Sequence, residues 1–322
     1  MLTRLFDNTR PITVLVLFFL LASISASSVY IYFTDLAFQA EFLIGPFYQR
    51  LGDILQSVIS IGLILSLGFL VNFIVHDNSI TRNNSYALLF FIVLVASDPS
   101  LSILNPVLSS VFFVVLAMKN LLSLHEHKEM TQKLFNTGLL LGIASVIYPY
   151  TILYGILIFL GIVIYGADSW RQWFIPVLGI ILPYYFLFSW YYWFDGLDYF
   201  WNTFFIKTFY ITDSSFYESP QTLIVWGVFA VLTVFSILDY SKNMGSHKPD
   251  TRKGYTMTFL ALIIGIVITL VGSINNGQEL IIMFLPISII WAKFIQHQKK
   301  ELWRSIFIIV VILNSVFSYA IN

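Results

Sequence analysis

The residues whose type and spacing could do chemistry are carboxylates set among aromatic rings. Asp35 and Glu41 follow directly on a long apolar run at 11–33, and Phe38, Phe42, Phe47 and Tyr48 surround them. Rings at this density hold a segment in the headgroup layer of a bilayer. A carboxylate at that boundary is partly desolvated, which favours its protonated form and tunes it for taking a proton from a hydroxyl. A base would need to sit there if the other substrate hung from a lipid. Asp35 and Glu41 are therefore the catalytic candidates. The plainer alternative is that Asp35 caps a helix and Glu41 is solvated.

A second aromatic stretch, 191–220, includes Trp193, Tyr199 and Trp201. It reads first as an aromatic belt, but flat rings also stack on sugars and line the path of a long isoprenoid chain. Lys207 in this stretch and Arg50 in the first could pair with a lipid phosphate, or could simply extend to the headgroup layer from their apolar stems. Asp98, at the end of a short apolar run and before Pro99, joins them as a candidate for substrate or lipid-phosphate binding.

Other chemistries are poorly supplied. With no cysteine there is no disulfide, thiolate metal site or thiol nucleophile. The five histidines are scattered; only His125 and His127 are close, and a spacing of two turns them to different sides of a helix. No metal, cofactor or nucleic acid is expected. No carboxylate falls in the middle of an apolar run, which argues against a proton pump or ion channel.

The elements that must position these residues are membrane helices. The chain is 58% hydrophobic and 11% charged, with mean hydropathy +0.83, whereas soluble domains carry charges near 25%. Inside lipid every backbone polar group must be paired within its own element, and the continuous apolar runs lack the alternation of a barrel strand. The fold expected is all-α and polytopic, a single transmembrane domain over 1–322 with interfacial outer segments at 34–53 and 191–220. About eleven spans are read: 11–33, 54–75, 85–97, 106–124, two short ones within 134–165, then 173–190, 221–237, 255–272, 280–292 and 305–320. The run 134–165 is long for one crossing, and Tyr148-Pro149-Tyr150 breaks it. A hairpin of two short helices is preferred there over one kinked helix. Ala22-Ser-Ile-Ser-Ala26 resembles a cleavage site, but the apolar run continues past it, so an uncleaved first span is expected.

With the N-terminus cytoplasmic, this count puts every Lys and Arg except Arg50 and Lys207 on the inner side. Merging two adjacent spans would invert every later loop and destroy the split. The outer side collects Asp35, Glu41, Asp53, Asp98, Asp195, Asp198, Asp213, Glu218 and Glu279.

Four stretches are spread along the chain: Arg4-Leu-Phe-Asp-Asn-Thr-Arg-Pro11, Asn83-Asn-Ser-Tyr86, Leu104-Asn-Pro106 and Trp170-Arg-Gln-Trp173-Phe-Ile-Pro176. Together they resemble an uncharacterised family of multipass inner-membrane proteins from Bacteroidota, which implies location and little else. The layout also resembles the GT-C superfamily of polyprenyl-linked glycosyltransferases: a first span entering from the cytoplasm, acids just after it, interfacial segments before the second span, and paired short spans. That resemblance implies Asp35 as base, with Glu41 behind it, and a polyprenyl phosphate carrier. The adjacent Asp-Glu pair and the large outer soluble domain common in that superfamily are absent, so a degenerate, non-catalytic relative also fits. Three readings follow: such a transferase, a non-enzymatic subunit or scaffold of a cell-envelope assembly with protein partners, and a lipid or glycan transporter. Each predicts a different surface. The transferase needs a cavity at the outer leaflet, the scaffold an apolar flank, and the transporter a through-going polar path.

Overall fold

The computed structural model describes residues 6, 11–32, 53–77, 84–98, 101, 103–126, 129–166, 169–202, 220–243, 249–272, 278–298 and 300–321. They form a helical bundle, with no strand among them. The helices are α1 (Pro11–Tyr32), α2 (Asp53–Asp77), α3 (Tyr86–Ser97), α4 (Pro106–Leu122), α5 (Met130–Ile147), α6 (Gly155–Tyr165), α7 (Trp170–Trp193), the short α8 (Leu197–Trp201), α9 (Pro220–Asn243), α10 (Pro249–Val271), α11 (Phe284–His297) and α12 (Glu301–Ile321). Each apolar run read from the sequence overlaps a helix of this set. Six helical stretches, within α2, α7, α9, α10, α12 and the run Gln278–His297, are long and apolar enough to cross a membrane; the apolar stretches Thr13–Ser27, Tyr86–Ser97, Pro106–Leu122 and Pro149–Tyr165 are shorter.

Local sequence sets the boundaries. The Asn105 side chain accepts a hydrogen bond from the Leu108 amide at 2.6 Å and Pro106 occupies the first turn, so α4 starts where Asn-Pro predicted. α5 ends at Ile147 because Tyr148 is extended and Pro149 begins a 3-10 turn, Pro149–Tyr154. The Thr151 hydroxyl closes that turn by donating to the Tyr148 carbonyl at 2.7 Å.

Contacts give the helix directions. Gly138 and Gly142 of α5 meet Pro176 and Ile180 of α7, and the Tyr184 hydroxyl donates to Ser145 Oγ at 2.8 Å, so α5 and α7 are parallel. α6 runs back alongside this pair, with Gly155 beside Ile180 and Phe159 stacked on Trp173. The stretch 134–165 is thus a hairpin with its tip at 148–154, not one kinked helix. α10 opposes α6, with Tyr154 beside Ala261 and Lys253 over Tyr165. α9 and α11 are parallel to each other, with Trp226 on Phe284, Thr233 at Trp291 and Asp239 at His297. α3 and α12 are parallel as well, with Phe90 on Phe307 and the Ser315 hydroxyl donating to the Val93 carbonyl at 2.9 Å.

These directions sort the charges. Among the described residues every Lys and Arg, namely Lys119, Lys133, Arg171, Lys242, Arg252, Lys253, Lys293, Lys300 and Arg304, lies at or within about a turn of one end, called here the basic end. Asp98, Asp195, Asp198 and Glu279 lie at the other, the acidic end. Lys293 departs from the sequence reading, which placed it in a loop after a span ending at 292. α11 continues to His297, and Lys293 is buried inside it.

The tightest core surrounds Trp291, which is fully buried and meets Phe90, Phe229 and Phe307 with ring centroids 5.5 to 5.9 Å apart. Tilted and edge-to-face arrangements suit the ring quadrupoles. The one polar atom of this side chain is satisfied, since its Nε1–H donates to Thr233 Oγ1 at 3.1 Å.

Candidate functional site

α9 and α10 follow one another in the chain yet scarcely touch along their length. At the basic end they are held together by Tyr240, which stacks on Tyr255 with centroids 3.5 Å apart, while Asp239 Oδ2, 3.2 Å from His297 Nδ1, ties α9 to α11. From there the helices diverge and leave a cleft of about 480 Å³ that opens sideways.

Each wall is one face of a helix. α9 contributes Trp226, Phe229, Ala230, Thr233, Val234 and Ile237, at the three- and four-residue spacing of a single stripe. α10 contributes Phe259, Leu262, Ile263, Ile266, Thr269 and Leu270, and the floor is Leu280, Met283 and Ile287. Two hydroxyls occur in this lining, and both donate to carbonyls of their own helix: Thr233 to Phe229 at 2.8 Å and Thr269 to Gly265 at 2.9 Å. The surface offered to a guest is therefore hydrocarbon. From Trp226 to Ile237 the cleft runs roughly 16 Å at 1.5 Å per residue, close to half of a ~30 Å hydrocarbon core. Val234, Ile263, Ile266 and Leu270 are exposed along its opening.

A polar contact stands behind the acidic end of the cleft. Glu279 is only 2% exposed and its Oε1 accepts from the Tyr148 hydroxyl at 3.2 Å; the Gly272 carbonyl lies 3.4 Å from the same hydroxyl. Glu279 belongs to the 3-10 turn Gln278–Met283, whose Leu280 and Met283 face the cleft. By its place in the sequence Glu279 is expected among the outer-side acids, between two spans; the structure buries it.

The predicted site residues fare unequally. Asp35, Glu41, Arg50 and Lys207 lie outside the described residues. Asp98 follows α3 and is buried at 5% exposure, with Leu101 donating its amide to the Asp98 carbonyl at 3.2 Å. Trp193, Tyr199 and Trp201 are exposed, Trp193 by 81%. Tyr199 packs beside Tyr191 around the turn that carries Asp195 at φ 52°. Among the described residues, none of Asp98, Trp193, Tyr199 and Trp201 lines the cleft. The cleft itself was missed. Its available signal was the matched pair of threonine-containing apolar stripes on α9 and α10.

A family model covers residues 22–322, which takes in both walls of the cleft, the hairpin tip and Glu279. The chain belongs to the family of unknown function DUF6427. No curated protein and no solved structure matches it. Family membership therefore adds no activity, and the functional argument rests on the geometry of this member.

Proposed function

We propose that this DUF6427 member is a multipass inner-membrane protein that binds a polyprenyl-phosphate-linked donor at the outer leaflet and transfers its sugar, as a GT-C-like enzyme. The observation that carries this reading is the cleft between α9 and α10, apolar throughout, about one leaflet deep and closed at the basic end. A long hydrocarbon chain fits such a space, and a sugar or nucleotide does not. The reading takes the N-terminus as cytoplasmic and all eleven apolar helices as crossings. The alternation of helix directions supports it, as does the gathering of Lys and Arg at one end. The basic end is then cytoplasmic, the cleft opens toward the outer leaflet, and the chemistry belongs to Asp35 and Glu41, with Arg50 and Lys207 on the phosphate.

The test is sugar transfer from a radiolabelled polyprenyl-phosphate sugar by the purified protein in vesicles. Asp35→Asn is expected to abolish transfer while leaving the melting temperature in place. Transfer that survives Asp35→Asn would remove that residue from the chemistry, and its absence in the unaltered protein would remove the enzyme reading.

A second reading, a non-enzymatic subunit of an envelope assembly, is favoured by α7. Only Pro176 and Gly179 of this helix are buried, and Trp170, Phe174, Leu178, Phe186 and Trp190 stand exposed. A flank of this kind can be covered by a partner helix or by lipid.

A further inference from the structure

The 3-10 turn Gln278–Met283 has two faces with different duties. Leu280 and Met283 form part of the cleft floor. Glu279 turns away from the cleft, to the tip of the α5–α6 hairpin, where the Tyr148 hydroxyl donates to it at 3.2 Å. The intervening surface of α10 is cut down to let the tip approach. A Cβ at Gly272 would collide with the Tyr148 hydroxyl, and one at Gly265 would lie 3.2 Å from the Tyr154 hydroxyl and 3.0 Å from Met283 Cγ. The hairpin tip thus reaches across Gly265 of α10 and Gly272 just beyond its end to the same short segment that floors the cleft. At the far end Tyr240 and Tyr255 already fix the spacing of α9 and α10. The open end has no equivalent clasp between its two walls among the described contacts, and its floor is held from behind.

We infer that Tyr148 and Glu279 are positioning residues for the cleft: the hairpin tip holds the floor segment in the place that lets the open end accept a hydrocarbon chain. This rests on the reading that the cleft binds such a chain. Neither side chain touches the guest. Their effect passes through Leu280 and Met283, one and four positions along the turn.

The test measures the affinity of the full-length purified protein for a fluorescent polyprenyl phosphate. Removing the donor with Tyr148→Phe, or the acceptor with Glu279→Leu, is expected to weaken binding about tenfold, on the scale of one net hydrogen bond. Glu279→Gln keeps an accepting oxygen and is expected to restore binding to within about twofold of the unaltered protein. Tyr154→Phe is the control. It removes a hydrogen bond of the same tip, 3.2 Å to the Ala261 carbonyl, without touching the floor segment, and is expected to leave affinity unchanged. The inference is overturned if Tyr148→Phe binds like the unaltered protein, if Tyr154→Phe loses as much, or if Glu279→Gln fails to rescue. Val234→Trp, which obstructs the cleft directly, separates the two claims. If it leaves affinity unchanged, the cleft reading fails. If it abolishes binding while Tyr148→Phe does nothing, only the clasp fails.

Discussion

Two pairs of helices in this bundle solve the packing problem in opposite ways. α5 and α7 are pressed together until backbone meets backbone: a Cβ at Gly142 would stand 2.6 Å from the Ile180 carbonyl, one at Gly179 2.6 Å from the Phe135 carbonyl, and one at Gly138 would collide with the Pro176 carbonyl. α9 and α10 meet at one aromatic stack and otherwise stay apart, and Gly227 of α9 has nothing within 4 Å of its missing Cβ. Lipid tails are as apolar as leucine, so burial of apolar side chains does not drive membrane helices together; close van der Waals fit between small residues does. Glycines lie at the contact of the first pair, and bulky side chains line the second. The lesson is that the cleft is written into residue size. Where Phe229, Val234, Phe259 and Ile266 face the gap, no backbone approach is possible, and the space is left for something else to fill.

The largest effect expected from breaking this contrast is at Gly138. Gly138→Val must move the α7 backbone or separate the helices, and overpacking of this kind costs at least about 1–3 kcal/mol. We expect loss of a monodisperse peak on size exclusion, whereas Gly227→Ala should run and melt as the unaltered protein. Recovery of normal Gly138→Val protein would mean that the close fit of α5 on α7 is not what holds them. A smaller effect follows from filling the gap. Val234→Trp should keep the protein folded, raise or preserve its melting temperature, and lower the amount of lipid retained in native mass spectrometry by several-fold; unchanged retention would mean that lipid binds elsewhere. The smallest effect concerns the closed end. Asp239 and His297 are each partly exposed, and pairs of this kind contribute roughly 0.2–1 kcal/mol. Asp239→Asn should therefore lower stability by less than about 1 kcal/mol, with the Tyr240–Tyr255 stack left to hold the helices. A larger loss in thermal melting would make the Asp239–His297 contact between α9 and α11 a main support of the closed end.

Much of the fold was legible in the residues. Apolar runs marked every helix but the short α8, to within about six positions at their ends. Asn105-Pro106 marked a helix start, and Tyr148-Pro149 marked a break whose hairpin form followed from the length of the run and was supported by the charge count. These are local signals or sums over loops, which a single sequence carries in full. The site was less legible. Tyr148 and Glu279 are separated by 131 positions and meet only because α6 and α10 run antiparallel. The cleft depends on the angle between α9 and α10, for which no residue is individually responsible. Lys293 was misplaced because a short apolar run ended before it, while the helix continued to His297 on the strength of its packing. The spacing of Gly138 and Gly142 is the small-residue pattern of a close helix contact and could have been read in advance.

The most direct test of the central claim is to photolyse a polyprenyl phosphate carrying a diazirine at its chain end with the full-length protein in vesicles, and to map the adducts by mass spectrometry. The cleft account predicts adducts concentrated on the α9 and α10 residues that line the gap, at and around Thr233, Ile237, Phe259 and Leu262, and lost in Val234→Trp. Adducts spread over the exposed face of α7, or equal labelling in Val234→Trp, would contradict it.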